Sequence, residues 1–311
     1  MTYDLTVINN LIKNKPNDYV ADSERYLNSR IRKAADGLIY NMDRSPIALI
    51  SGPSASGKTT TAKKLQSDLT RLGMNAYIIS LDNYFKTVDP ETAPRTATGE
   101  IDYESPECLD MELLHEHFVK LAAGEEIHIP HFNFTRQARD PSRHTPMRLG
   151  KNDFAIFEGI HALNDHIAGT YPEAYKLYVS PLLSISHEGK ILLRSEDLRL
   201  VRRLVRDAFF RGADPVFTLS LWDNILRAEQ VNILPYKDSA DFMIDSALPY
   251  EISVMKQFSH GILDKIPVES DKYDVICEIR NACQMFHPID PDLVPADSIL
   301  REFIGGSAFD Y

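Results

Sequence analysis

Gly52-Pro53-Ser54-Ala55-Ser56-Gly57-Lys58-Thr59 is a complete G-x-x-x-x-G-K-[ST] loop, and its flanks decide the fold. Upstream, residues 46–51 read as a short buried strand. Downstream, Ala62, Leu65 and Leu69 recur at helical spacing. A loop that joins a strand to a helix in this way cradles phosphate. Its glycines let backbone N–H groups turn inward around phosphate oxygens, and the helix N-terminus adds partial positive charge. The expected nucleotide contacts are Gly52, Ser54, Ala55, Ser56, Gly57, Lys58, Thr59 and Thr60. Among them Lys58 reaches the outer phosphates and the Thr59 hydroxyl ligates Mg²⁺. The motif therefore implies a nucleoside triphosphate.

Working outward, strands are expected at 47–51, 76–80, 154–158, 175–179 and 241–244, with helices at 58–72, 110–122, 196–210 and 216–230. This alternation predicts an α/β, three-layer P-loop NTPase fold with a mainly parallel sheet. Residues 85–106 and 133–150 read as long loops, which in a compact domain are usually functional. Residues 1–45 form an N-terminal helical extension, with apolar Leu27, Ile31, Ala34, Ala35 and Leu38 behind a start signal at Asp22-Ser23. Beyond residue 248, helices over 250–263, 273–285 and 298–303 make a C-terminal appendage at 249–311, leaving 46–248 as the nucleotide-binding domain.

The chain has 311 residues, 43% hydrophobic, enough for a full α/β core. Its net charge of −11 argues against nucleic acid and anionic membranes as partners. No apolar run approaches the length of a membrane span and no signal segment is evident, so a cytoplasmic protein is the expectation. Cys108, Cys277 and Cys283 are odd in number and lack C-x-x-C spacing, which predicts mostly buried free thiols rather than disulfides or a zinc site. The apolar helical extensions leave a homo-oligomer open.

Two apolar strands end in carboxylates. Residues 77–81 lead into Asp82, and 154–157 into Glu158-Gly159-Ile160-His161. Strand carboxyl ends form the ligand-binding rim of such a sheet. Asp82 can accept the proton of an attacking hydroxyl or join the metal, Glu158 can position Mg²⁺, and His161 can face substrate. Positive charge gathers once, at Arg194, Arg199, Arg202, Arg203, Arg206 and Arg211. A helix carrying these side chains can close over a triphosphate as a lid and exclude water.

Six ordered blocks then resemble the phosphoribulokinase/uridine kinase family of P-loop kinases: the loop 52–59, Leu81-Asp82-Asn83-Tyr84-Phe85, residues 101–110, residues 129–139, Phe157-Glu158-Gly159-Ile160, and residues 202–212. The terminal helices look like those of a bacterial uridine-kinase-like subgroup. The resemblance implies transfer of the ATP γ-phosphoryl group to a hydroxyl of a small molecule. Asp82 is similar to the catalytic base and Glu104 to the carboxylate that holds ribose hydroxyls. Lys58, Arg203 and Arg206 would neutralise phosphate charge, and Arg211 would contact the nucleotide. Tyr84, Phe132, Phe134, Gln137, Arg139 and His161 would surround the acceptor. The chain carries Arg136-Gln137-Ala138-Arg139 where uridine kinases place Ser-His-Ser-Arg, and Leu221 where a glutamine is expected. Uridine or cytidine is the expected acceptor; a sugar phosphate, glycerate or pantothenate, and a nucleotide-dependent regulatory role, stay open.

Overall fold

The computed structural model describes residues 2–96, 99–133 and 135–311. In chain order its elements are β1 (Thr2–Asp4), α1 (Leu5–Asn14), α2 (Pro16–Asn41), β2 (Ile47–Ser51), α3 (Lys58–Arg71), β3 (Asn75–Ser80), α4 (Met111–Ala122), β4 (Ile127–Asn133), β5 (Ala138–Met147) and β6 (Asp153–Glu158). There follow α5 (Asp165–Ala168), β7 (Tyr175–Ser180), β8 (Ser184–His187), β9 (Lys190–Leu193), α6 (Ser195–Phe210), α7 (Pro215–Ser220), α8 (Trp222–Asn232), β10 (Phe242–Asp245), α9 (Glu251–Leu263), α10 (Tyr273–Met285) and α11 (Arg301–Ile304).

Five parallel strands form the central sheet in the order β10-β7-β2-β6-β3. Alternate residues of each strand face opposite sides, so each strand serves two cores. Ala48, Ile50, Phe154, Ile156, Leu177 and Val179 join one hydrophobic cluster with α1–α3, α6 and the helices after residue 250. Ile47, Leu49, Ala155 and Phe157 join the other, with Leu114, Phe118 and Leu121 of α4. The result is three layers, as the alternation of strands and helices predicts. Register places strand ends side by side: Glu158 lies opposite both Ile50 of β2 and Ser80 of β3. The P-loop, Glu158 and Asp82 thus leave the sheet along one rim.

Three local expectations are corrected. Residues 133–150 are not a loop: β4 and β5 form an antiparallel hairpin with an irregularity between Pro130 and Phe132. Its polar, mostly exposed second strand, Ala138–Met147, has no apolar alternation to reveal it. The helix expected over 216–230 is two, with Leu221 at the junction of α7 and α8. Residues 184–193 make a small hairpin whose first strand pairs in parallel with β1, so the N-terminal extension is not wholly helical. Strands of three or four residues are too short for periodicity to signal. Of the thiols, Cys283 is buried, whereas Cys108 and Cys277 are partly exposed.

The terminal helices pack into the sheet's own core. Glu24 of α2 is buried, and it accepts hydrogen bonds from Tyr250 Oη (2.6 Å) and Ser298 Oγ (2.5 Å). Gly37 lets α2 approach β7, because a Cβ there would lie 2.0 Å from Tyr175 Oη. Arg202 of α6 is wholly buried and paired with Glu251 at the start of α9. Its guanidinium also donates to Ser246 O (2.9 Å) and to Ala55 O of the P-loop (3.4 Å).

Glu251→Ala would leave the Arg202 charge buried without its partner, so a loss of about 3–5 kcal/mol is expected in urea unfolding. A second expectation concerns pH. His117 is buried with its Nδ1 2.8 Å from Tyr84 Oη, and burial lowers its pKa to about 4. The stability it contributes is complete above the ordinary value of 6.5 and is lost as pH falls toward 4, because the unfolded chain binds the proton first. His117→Gln should flatten that part of the melting-temperature profile relative to the parent.

Candidate functional site

The P-loop backbone is shaped by its neighbours. Ala55 and Gly57 have left-handed φ values of 58° and 86°, which turn successive N–H groups to one side. A Cβ at Gly52 would lie 1.9 Å from Val179 O, so only glycine lets the loop lie against β7. Ser56 Oγ is buried without a hydrogen-bond partner among the described residues. This donor at the centre of the cradle suits a phosphate oxygen. Lys58 Nζ rests on Pro53 O at 3.0 Å, within the loop it serves. Thr59 and Thr60 open α3. The loop conformation and the unspent Ser56 hydroxyl fit a bound triphosphate.

The arginine helix α6 braces the loop from behind. Arg199 grips Glu229 with two bonds of 2.7 and 2.8 Å, both side chains buried, and also donates to Ser54 O at 3.2 Å. Arg202 holds Ala55 O, and Arg203 Nη1 donates to Ser54 Oγ at 2.6 Å. Arg199 and Arg202 are therefore committed to the scaffold rather than free to swing over a ligand. Arg206 bonds Asp207 Oδ1 at 2.8 Å, Arg203 Nε lies 3.4 Å from Asp207 Oδ2, and the more exposed Arg211 approaches Asp207 at 3.7 Å. Asp207 thus gathers the three arginines whose positive charge faces the rim.

A cavity of about 420 Å³ opens beside the loop, lined by Ser54, Asp82, Phe85, Val88, Tyr103, Glu104, Cys108, Phe132, Gln137, Ile160 and Arg203. The Phe85 and Phe132 rings meet at 5.5 Å. Asp82 faces this space, open to it but enclosed on its other sides; the desolvation raises its pKa, against the pull of Lys58 and Arg211. Burial likewise raises Glu104, with Arg203 opposing. Burial pushes Glu158 up to about 7, although Lys58 lowers it; Asp82 and Glu302 push the same way as burial. Lys58 is lowered by burial and supported by Glu158, Glu302 and Asp82. These opposed charges at depth call for cationic company. Among the described residues no three His, Cys, Asp or Glu side chains form a metal cage by themselves. Mg²⁺ typically takes only one or two protein carboxylates and completes its shell with phosphate and water, which Thr59, Glu158 and Asp82 fit.

Several expected substrate residues lie elsewhere. Tyr84 turns inward onto His117 and Phe157 and is fully buried. Arg139 binds Asp110 Oδ2 (2.8 Å) and Tyr84 O (3.0 Å), fastening β5 to the loop after β3. His161 lines a small space behind the main cavity with Ser54, Glu104 and Glu229, and burial holds it near pKa 4, neutral. Phe134 lies outside the described residues. The structure adds Phe85, Val88 and Tyr103 from the 85–106 loop, Cys108 just after it, and Ile160 from the turn that follows β6. Phe85 follows Asp82-Asn83-Tyr84 directly and was within reach of sequence reasoning; Cys108 carried no signal.

Residues 47–253 match the Phosphoribulokinase / Uridine kinase family. The chain belongs to this family. It is similar to the uridine kinase of Schizosaccharomyces pombe, 31% identical over 185 residues, covering 60% of this chain and 37% of the relative. A uridine kinase of Saccharomyces cerevisiae is 27% identical over 225 residues, covering 72% and 41%. That of Tolumonas auensis is 30% identical over 200 residues, covering 63% and 84%. The chain thus spans about two fifths of the length of the two yeast relatives. Among solved structures, D-glycerate 3-kinase from Cryptococcus neoformans aligns with a TM-score of 0.37 at 15% identity, covering 85% of this chain and 89% of that one. No helix among the described residues is long and apolar enough to cross a membrane.

Gly52→Ala should weaken ATP binding by at least about tenfold in calorimetric titration, since the added Cβ must displace the loop from β7 and misplace its donors.

Proposed function

We propose that this protein is an ATP-dependent kinase that transfers the γ-phosphoryl group to the 5′-hydroxyl of uridine or cytidine. The observation that carries the reading is the single cavity shared by Ser54 of the P-loop, Arg203, Asp82 and Glu104, walled by Phe85 and Phe132. An acceptor seated there has its hydroxyl at Asp82 and its polar edge at Gln137, beside the phosphate loop. Membership of the family and the similarity to uridine kinases support the chemistry.

In this mechanism the Asp82 carboxylate accepts the hydroxyl proton as the oxygen attacks phosphorus. Desolvation of Asp82 raises its proton affinity and makes it a better acceptor, while Lys58 and Arg211 act in the opposite direction and favour its ionised form. Glu104 accepts hydrogen bonds from neighbouring acceptor hydroxyls and fixes their approach. Lys58, Arg203 and Arg206 offset charge on the transferring group and the leaving phosphates. Thr59, Glu158 and Asp82 would hold Mg²⁺, which when bound neutralises phosphate charge. The aromatic walls exclude water and favour a flat base. The partner is accordingly a small molecule.

A second reading keeps the chemistry and changes the acceptor. A wider cavity of about 610 Å³ adjoins the first and shares Tyr103, Glu104, Gln137 and Arg203 with it, so the site accommodates acceptors longer than a nucleoside. Arg136-Gln137-Ala138-Arg139, where uridine kinases carry a histidine, favours it too.

ADP release with Mg²⁺–ATP should be stimulated by uridine and cytidine and not by adenosine, ribose, ribulose 5-phosphate, glycerate or pantothenate. Stimulation by one of the latter alone would replace the nucleoside with the second reading. Lys58→Met and Asp82→Asn should each lower turnover at least about 100-fold with the fold retained by circular dichroism. Near-parental turnover in either would overturn the assigned roles.

A further inference from the structure

Residues 254–311 lie beyond the family match, yet the last of them return to the P-loop. Asp297 binds Lys64 of α3 at 2.7 Å, and Ile299 fills the space above Gly57, where a Cβ would stand 2.7 Å from Ile299 Cγ2. Phe303 lies under the Arg202 guanidinium at 5.2 Å. Glu302 is thereby fixed in place. Its Oε2 accepts the Thr60 hydroxyl at 2.5 Å, and Tyr311 Oη lies 2.9 Å from Thr60 Oγ1, the Tyr311 ring beside Lys63 Nζ at 5.7 Å. Glu302 also bears on the charges of Lys58, Arg211 and Glu158.

A carboxylate on a first-turn hydroxyl of α3, near enough to act on the charges of Lys58 and Arg211, stands in an anion's position. The Thr60 hydroxyl has one proton to donate, and a triphosphate brought to the same helix end would meet the Glu302 charge. From this juxtaposition, we propose that Glu302 is a nucleotide-site residue: its carboxylate holds the Thr60 hydroxyl when no nucleotide is bound and yields that hydroxyl to a nucleotide phosphate. Gly305 and Gly306, with φ of 85° and 71°, form the turn at which the segment carrying Tyr311 can swing away. This rests on the P-loop as the nucleotide site and is independent of which acceptor is used.

The test is calorimetric titration of Mg²⁺–ATP into the full chain, Glu302→Gln, Glu302→Ala and a chain lacking residues 307–311. Removing the competing charge should tighten ATP binding about threefold or more in both Glu302 variants, and the shortened chain should move in the same direction. A gain in affinity cannot come from a damaged fold. Hydrogen exchange of amides 300–311 should speed up when Mg²⁺–ATP is added. Unchanged or weakened affinity in the Glu302 variants, or exchange that slows with nucleotide, would overturn the proposal. Failure of the parental chain to bind any nucleotide would overturn the functional reading along with it.

Discussion

The buried pair of Arg202 and Glu251 is the constraint on which the remaining structure turns. Charges removed from water cost several kcal/mol each unless every donor and acceptor is met. Here the guanidinium meets Glu251, Ser246 O and Ala55 O, which belong to α9, the turn after β10 and the P-loop. One side chain therefore couples the phosphate-loop backbone to α9. Arg199 repeats the device with Glu229 and Ser54 O. Replacing either pair with apolar residues could preserve stability, but an apolar side chain cannot hold a carbonyl oxygen at a set place. The pairs position the loop as well as the helix.

For the proposed kinase a rigid loop matters, because phosphoryl transfer depends on positioning and charge more than on covalent chemistry. The sheet supplies the coarse arrangement by ending β2, β3 and β6 along one rim. The arginines of α6 then supply the fine arrangement, Arg199 and Arg202 through loop carbonyls and Arg203 through the Ser54 hydroxyl at the edge of the cavity. Asp82, Glu104 and Glu158 carry raised pKa values chiefly because they are desolvated, which stores electrostatic demand that bound cations relieve. Such groups gather at sites where proton transfer and metal binding occur. The same acidity acts on Lys58: burial lowers its pKa, and Glu158, Glu302 and Asp82 oppose that shift.

The expected strands and helices of the central sheet were legible because each is long enough to show its period. Residues 47–51 are buried throughout, and Ala62, Leu65 and Leu69 all lie at or near 0% exposure. The β4–β5 hairpin was not legible, since Ala138–Met147 is mainly exposed and carries two prolines, Pro141 and Pro146, that read as loop. Within the site, Asp82, Glu104, Phe132, Gln137 and Arg203 were identifiable from strand ends and ordered motifs. Tyr84 and Arg139 carry the same residue-type signal as a ligand contact, but one turned into the core and the other into an ion pair.

The amino-acid sequence alone determined the phosphate loop, the α/β alternation and the candidate acids, because these are encoded in local spacing and residue type. Only the tertiary structure decided which arginines brace the loop and which face the rim. Residues four apart on α6 look alike in sequence, and their neighbours differ. It also decided that Glu302, 242 positions beyond Thr60, reaches the start of α3, because chain return over such a distance depends on packing of whole helices. Periodicity reports what a segment presents to its surroundings; it does not report which distant segment arrives there.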